Sequence, residues 1–138
     1  MITVIRISGA VDLTKGDKET LDRLRLRRKY ACVIIENNAV NKGMLKRVRN
    51  LVAYGDIDEE TLKELVRKRA QPLNKVKKIN FEEITAEILK NRSMKELEIK
   101  PFFRLHPPRK GINSKQHFPK GVLGNHKEKI NELIRRML

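Results

Sequence analysis

An α+β fold is predicted for this chain: a β-α-β-α-β core with a small antiparallel sheet, then added helices and an extended basic C-terminal segment. Three observations predict it. β-Branched apolar runs open the chain at Ile2-Thr3-Val4-Ile5-Arg6-Ile7 and recur at Tyr30–Ile35. Stretches of helical spacing alternate with those runs. From Ile99 to Lys127 there is no Asp or Glu, and Phe103 to Gly121 keeps neither the helical period nor strict alternation.

Each element has its own signal. Ile2–Ile7 reads as a strand ended by Ser8-Gly9. Asp17 to about Lys29 reads as a helix with acids in its first turn and Leu21 and Leu24 on one side. Tyr30–Ile35 reads as a buried central strand. Val40, Met44, Val48, Leu51 and Val52 form a helical stripe toward the core, and Ala53–Ile57 a short third strand. That order suggests a small open sandwich of the ferredoxin-like kind. Asp58 caps a helix carrying Leu62, Leu65, Val66 and Ala70. Gln71–Ile79 is a basic linker, and Asn80-Phe81-Glu82-Glu83 is a capping box that opens a helix with Ile84, Ile88 and Leu89 inward. Ser93-Met94-Lys95-Glu96 repeats that signal for a short turn. Asn125-His126-Lys127-Glu128 opens a last helix with Ile130, Leu133, Ile134 and Met137 on one face. The expected organisation is one compact domain: a core over 1–57, a helical extension over 58–99, and a basic loop with a C-terminal helix over 100–138.

Charge points to the partner. The chain has 32 Lys+Arg against 17 Asp+Glu, a net +15. Residues 1–57 carry +6, 58–99 only +1, and 100–138 +8. Such an excess repels itself in a lone compact protein, so a polyanion is expected, nucleic acid first and an anionic membrane second. The membrane reading fails on length: the longest apolar run, Ala31-Cys32-Val33-Ile34-Ile35, is far short of the ~20 residues that span a bilayer. The N-terminus lacks the basic region and cleavage site of a signal peptide. Cys32 is the single cysteine, which suits a reducing cytosol, and a soluble cytoplasmic protein is expected.

No constellation of an enzyme stands out. His106, His117 and His126 share no metal-ligand spacing, and Cys32 lies in the buried strand. Gly121-Val122-Leu123-Gly124-Asn125 lacks the Gly-Lys-Ser/Thr ending of a phosphate loop and reads as the entry to a helix. Asp58, Glu59 and Glu60 complement a helix dipole. No cofactor, metal or small-molecule substrate is expected. With two Tyr, four Phe and no Trp, base stacking on a sheet is not the expected mode. No helix-turn-helix, zinc finger or basic zipper is present either. What remains is phosphate and shape readout of folded RNA or duplex by Lys and Arg.

Two patches are candidates. The first is Arg23, Arg25, Arg27, Arg28 and Lys29, with Lys42, Lys46, Arg47 and Arg49 on the next helix. Its bland alternative is a solvated basic helix surface. The second is Arg104, His106, Arg109, Lys110, Lys115 and Lys120 in the acid-free stretch. Prolines there stiffen the chain and glycines let backbone approach a phosphate. The segment has little means of burying itself, so an outside partner is expected to order it, with disorder in the free protein. A flexible surface loop is the alternative.

The residues Leu21-Asp22-Arg23-Leu24-Arg25-Leu26-Arg27-Arg28, then Val33, Met44-Leu45, Val48 and Leu51-Val52, form a familiar pattern. It resembles the universal large-subunit ribosomal protein thirty family, whose eukaryotic counterpart is numbered seven. Ala31 departs from it, standing where that family usually has a small polar residue or His. Pro101-Phe102-Phe103-Arg104-Leu105-His106-Pro107-Pro108-Arg109 and Gly124-Asn125 through Ile134-Arg135-Arg136-Met137 resemble its long archaeal form, so the resemblance runs from Ile2 to Leu138. It implies the β-α-β-α-β core, a non-catalytic role in the large (50S) ribosomal subunit in the cytoplasm, ribosomal RNA and neighbouring ribosomal proteins as partners, and a place near the 5S RNA. Phe103 to Gly121 would then lie along folded RNA with Arg104, Arg109, Lys110, Lys115 and Lys120 on phosphates. The rivals are a nucleic-acid-binding assembly factor or DNA-compacting factor, and a small enzyme on a ferredoxin-like scaffold.

Overall fold

The first strand, β1 (Ile2–Arg6), is buried at every residue and forms the centre of the sheet. In this computed structural model, which describes residues 1–74, 78–92 and 94–138, the elements that follow are arranged around it. They run α1 (Lys15–Arg23), β2 (Ala31–Ile35), α2 (Ala39–Val48), β3 (Val52–Asp56), α3 (Glu59–Arg69), α4 (Phe81–Leu89), β4 (Phe103–Arg104), β5 (Gly124–Asn125), a 3₁₀ turn (Lys127–Lys129) and α5 (Ile130–Met137). The sheet order is β4-β2-β1-β3-β5. β1 pairs antiparallel with β2 (Val4 opposite Val33) and with β3 (Val4 opposite Tyr54). These three strands and their two helices are the expected ferredoxin-like core.

The residues beyond the core extend the sheet at both edges. β4 adds antiparallel to β2, with Cys32 opposite Phe103, and β5 adds parallel to β3, with Ala53 opposite Gly124. Neither short strand was legible in the sequence. Each covers an edge that would otherwise present unpaired N–H and C=O groups.

Burial of β1 on both faces follows from two hydrophobic layers. On one face Ile2, Val4, Ala31, Val33 and Val52 pack with Leu21, Leu24 and Leu26 and with Leu45 and Val48 of α2. On the other, Ile5, Ile7, Cys32, Ala53 and Phe103 pack with Leu62, Leu65 and Val66 of α3, Ile84 and Ile88 of α4, and Ile130, Leu133, Ile134 and Met137 of α5. The sandwich expected to be open is therefore closed on both sides. Its second layer comes from the three amphipathic helices after residue 57.

Several helices differ in detail from the expected ones. α1 stops at Arg23, six residues before the expected end. Burial along the Val40/Met44/Val48 stripe fades toward the start of α2: Val48 is buried, Met44 half-buried and Val40 72% exposed, while Leu45 is buried beside Val48 in the core. Asn80 begins α4 without a side-chain capping hydrogen bond, and Leu89 is exposed. Asp58 does cap α3, accepting from the Thr61 N–H at 2.7 Å. Most of the Gln71–Ile79 linker is described, but 75–77 lie outside the described residues. Ser93, the start of the predicted short turn, also lies outside them.

α5 is fixed to the sheet by two devices. A Cβ on Gly55 would collide with the Lys127 carbonyl oxygen and touch Ile130 at 3.0 Å, so glycine lets this turn rest directly on β3. Buried Asn131 then accepts from the Asp58 N–H at 3.1 Å and donates to the Asp56 and Glu128 carbonyls at 3.2 and 2.7 Å. One amide thus joins the end of β3, the start of α3 and the start of α5. Gly55→Ala is expected to lower unfolding free energy by about 1–3 kcal/mol through overpacking. Gly43→Ala, in a helix with nothing within 4 Å of the new methyl, is expected to raise it by roughly 0.5–1 kcal/mol. Urea unfolding of both variants checks the contrast.

Candidate nucleic-acid interface

The arginine-rich stretch begins where α1 ends. Arg25 takes a left-handed backbone with φ 61°. Its N–H donates to the Asp22 carbonyl at 3.0 Å, and the Leu26 N–H donates to the Leu21 carbonyl at 2.8 Å. This is a Schellman stop with arginine in the place glycine usually takes, and Leu21 and Leu26 both enter the core beside it. Leu24 and Leu26 point inward, so Arg23, Arg25, Arg27, Arg28 and Lys29 remain exposed.

Arg6 holds this loop from within. Its side chain is 4% exposed. Nη1 donates to the carbonyls of Leu26 and Arg27 at 2.8 and 2.7 Å, Nε to Ser8 at 3.0 Å and Nη2 to Gly9 at 3.0 Å. The Tyr30 N–H donates back to the Arg6 carbonyl at 2.7 Å. Burial pulls the Arg6 guanidinium below its ordinary pKa, and the negative charge of Asp22 opposes that shift. No pattern distinguishes Arg6 in the sequence, because a cation in a strand reads as an outward-facing residue.

Pairing of β4 with β2 brings the second patch to the first. Ala31 lies opposite Arg104, so Arg104 stands beside the exit of the arginine loop. The period of two puts Phe102 and Arg104 on one side and buries Phe103 on the other. Between them lies a groove of about 920 Å³, whose cations are Arg23, Arg25, Arg27, Arg28, Lys29, Lys100 and Arg104. Its one acid, Asp22, is 3.9 Å from Arg27. Arg23 pairs with Glu19 at 2.6 Å, whereas Arg25, Arg28, Lys29 and Arg104 have no acid within 4.0 Å among the described residues. Lys100, Phe102 and Tyr30 were missed as groove residues. Lys100 opens the acid-free stretch, which was the available signal.

The other candidates lie elsewhere. Lys42, Lys46, Arg47 and Arg49 are exposed on or just after α2, and Arg47 pairs with Asp17 of α1 at 3.3 Å. Arg109 and Lys110 sit at the end of α5, where Arg136 donates to the carbonyls of Arg109 and Gly111 at 2.6–3.0 Å. His106, Lys115 and Lys120 are exposed.

The acid-free segment, expected to need an outside partner for its order, has partners within the chain. Phe103, Leu105 and Pro108 are buried. The N–H groups of His106 and Arg109 donate to Met137 and Arg136 carbonyls at 3.0 Å, and those of Val122 and Leu123 to Ser114 and Gln116 at 3.1 and 3.0 Å. His117 Nε2 lies 2.6 Å from Asn50 Oδ1, tying the loop to the turn before β3. His126 is buried, donates from Nε2 to the Val122 carbonyl at 2.6 Å, and lies 4.6 Å from the Phe118 ring. Burial lowers its pKa, the hydrogen bond to Val122 partly opposing, which favours the neutral ring. The sequence offered no period here because the segment is anchored by scattered single contacts.

Burial pushes the Cys32 thiol well above its ordinary pKa, so it packs as a small apolar side chain. Among the described residues no group of His, Cys, Asp and Glu could hold a metal ion, and no helix is long and apolar enough to cross a membrane.

Fold and surface define a small basic α+β protein with a cation-lined groove at one sheet edge, a class whose charge calls for a polyanionic partner. Residues 2–52 match the family model described as Ribosomal protein L30p/L7e. Relatives match over the whole length. "Large ribosomal subunit protein uL30" of Archaeoglobus fulgidus is 42% identical, covering 99% of this chain and 99% of its own. The proteins of that name from Nanoarchaeum equitans and Pyrobaculum aerophilum are 36% and 39% identical, covering 100% and 98% of this chain and 99% and 92% of their own. The chain belongs to the ribosomal protein L30p/L7e family, whose members are structural components and not enzymes.

Arg6→Met would leave four carbonyl oxygens without their donor. It is expected to cost about 3 kcal/mol, read by urea unfolding. Arg6→Lys is expected to recover only part, since one ammonium lacks the planar fork that serves separated acceptors. A change under about 0.5 kcal/mol in Arg6→Met, the range of an ordinary surface substitution, would contradict this role.

Proposed function

We propose that this chain, as an L30p/L7e protein, is a structural constituent of the large ribosomal subunit that binds and stabilises folded ribosomal RNA through its basic residues, and that it lies near the 5S RNA in the cytoplasmic ribosome. The observation that carries the reading is the meeting of the two sequence patches: Arg104 joins Arg25, Arg28 and Lys29 in a groove with one acid. Cations without acidic partners keep their donors for phosphate oxygens. Lys42, Lys46, Arg47 and Arg49 on α2, and Arg109, Lys110, Lys115 and Lys120 on the C-terminal segment, extend the contact to further RNA. His106 joins them as an exposed polar contact. The apolar exposed residues Phe81 and Leu89 of α4, in the stretch of low net charge, suit neighbouring ribosomal proteins.

RNA footprinting of reconstituted large subunits tests this. Compared with wild type, a chain carrying Arg25→Ala, Arg28→Ala and Arg104→Ala is expected to lose protection at one set of nucleotides. A chain carrying Arg109→Ala, Lys110→Ala, Lys115→Ala and Lys120→Ala is expected to lose another. Unchanged footprints in both would sink the assignment of these side chains to RNA.

A further inference from the structure

We propose that the groove between Arg25–Tyr30 and Lys100–Arg104 receives a single unpaired nucleotide of the RNA, its base against Phe102 and its phosphate among Arg25, Arg28 and Arg104. The inference rests on the RNA-binding reading above and names what that site takes.

Shape is the first argument. A row of cations that only tracks the phosphates of a duplex needs no recess, yet the cations here surround a hollow of about 920 Å³. That lies within the ~300–1,000 Å³ of clefts that enclose small ligands. Its lining is partly apolar: Tyr30, Leu73, Pro101, Phe102 and Leu105 all contribute. Leu73 is 51% exposed there, an apolar surface that a phosphate cannot satisfy and a base can cover.

Chemistry is the second. The guanidinium carbon of Arg104 lies 5.8 Å from the centre of the half-buried Phe102 ring, and Lys29 Nζ lies 5.0 Å from that of Tyr30. Arg104 lies over the Phe102 ring, so a base entering the groove meets a planar cation and an aromatic ring that are already stacked, both surfaces of the kind bases stack on. Paired bases in an A-form helix are out of reach, because its major groove is deep and narrow, so a base must be unpaired to enter. With six aromatic residues in the whole chain, there are too few platforms for a run of stacked bases. One nucleotide is what the groove can serve.

The test uses the full chain and two RNA duplexes of identical sequence, one perfectly paired and one carrying a single bulged 2-aminopurine. At fixed salt, wild type is expected to bind the bulged duplex about tenfold more tightly, within the range that one stacked base supplies, and to change the 2-aminopurine fluorescence. Phe102→Leu, which keeps an apolar side chain for packing, is expected to abolish the preference, whereas Phe102→Tyr keeps it. Equal affinity of wild type for the two RNAs, or an intact preference in Phe102→Leu, overturns the inference. The parent reading fails separately, if a chain with Arg25→Ala, Arg28→Ala and Arg104→Ala binds both RNAs as wild type does.

Discussion

A buried guanidinium hydrogen-bonded to four backbone carbonyls holds the basic surface in place. Arg6 ends the central strand, and its side chain gathers the carbonyls of Ser8, Gly9, Leu26 and Arg27. Burying a cation costs several kcal/mol, and charge-assisted hydrogen bonds at about 1.5–3 kcal/mol each offset it. The consequence reaches the surface. With the loop's carbonyls drawn inward and Leu24 and Leu26 in the core, the five basic side chains between residues 23 and 29 are left clustered at the surface. The left-handed residue at Arg25 is a local strain of about 1 kcal/mol or more, and the contacts around it hold it there.

The second half of the chain completes the first. β4 adds Arg104 to the groove while Phe103 enters the core, so one dipeptide serves both surface and packing. α5 rests on β3 through Gly55 and Asn131, and its far end supplies the carbonyls that hold His106 and Arg109. A segment without periodicity is thereby tied down at intervals, and its lysines project from a fixed backbone.

Much of this was legible. The strands β1 to β3, the helices between them, Asp58 as a cap and the inward face of α5 followed from periodicity and capping chemistry. So did the shared side of Leu21 and Leu24, whereas the inward turn of Leu26 had no signal. Long-range pairing was not legible: two-residue strands carry too little pattern to announce β4 and β5, and so the meeting of Arg104 with the arginine loop was hidden. Arg6 was hidden for a related reason. Its partners are backbone carbonyls, which leave no residue-type signature. The end of α1 was overrun because an arginine stands where glycine would have marked the stop.

The central claim is that the backbone carrying the basic surface is ordered by the chain itself. Amide hydrogen exchange on the free, full-length protein tests it most directly. The account expects protection at Leu26 and Tyr30 in the arginine loop and at His106, Arg109, Phe118, Val122 and Leu123 in the C-terminal segment, all of them donors to carbonyls of this chain. Exchange of these amides at the rate of an unstructured peptide, with β1 still protected, would contradict it and leave RNA as the source of their order.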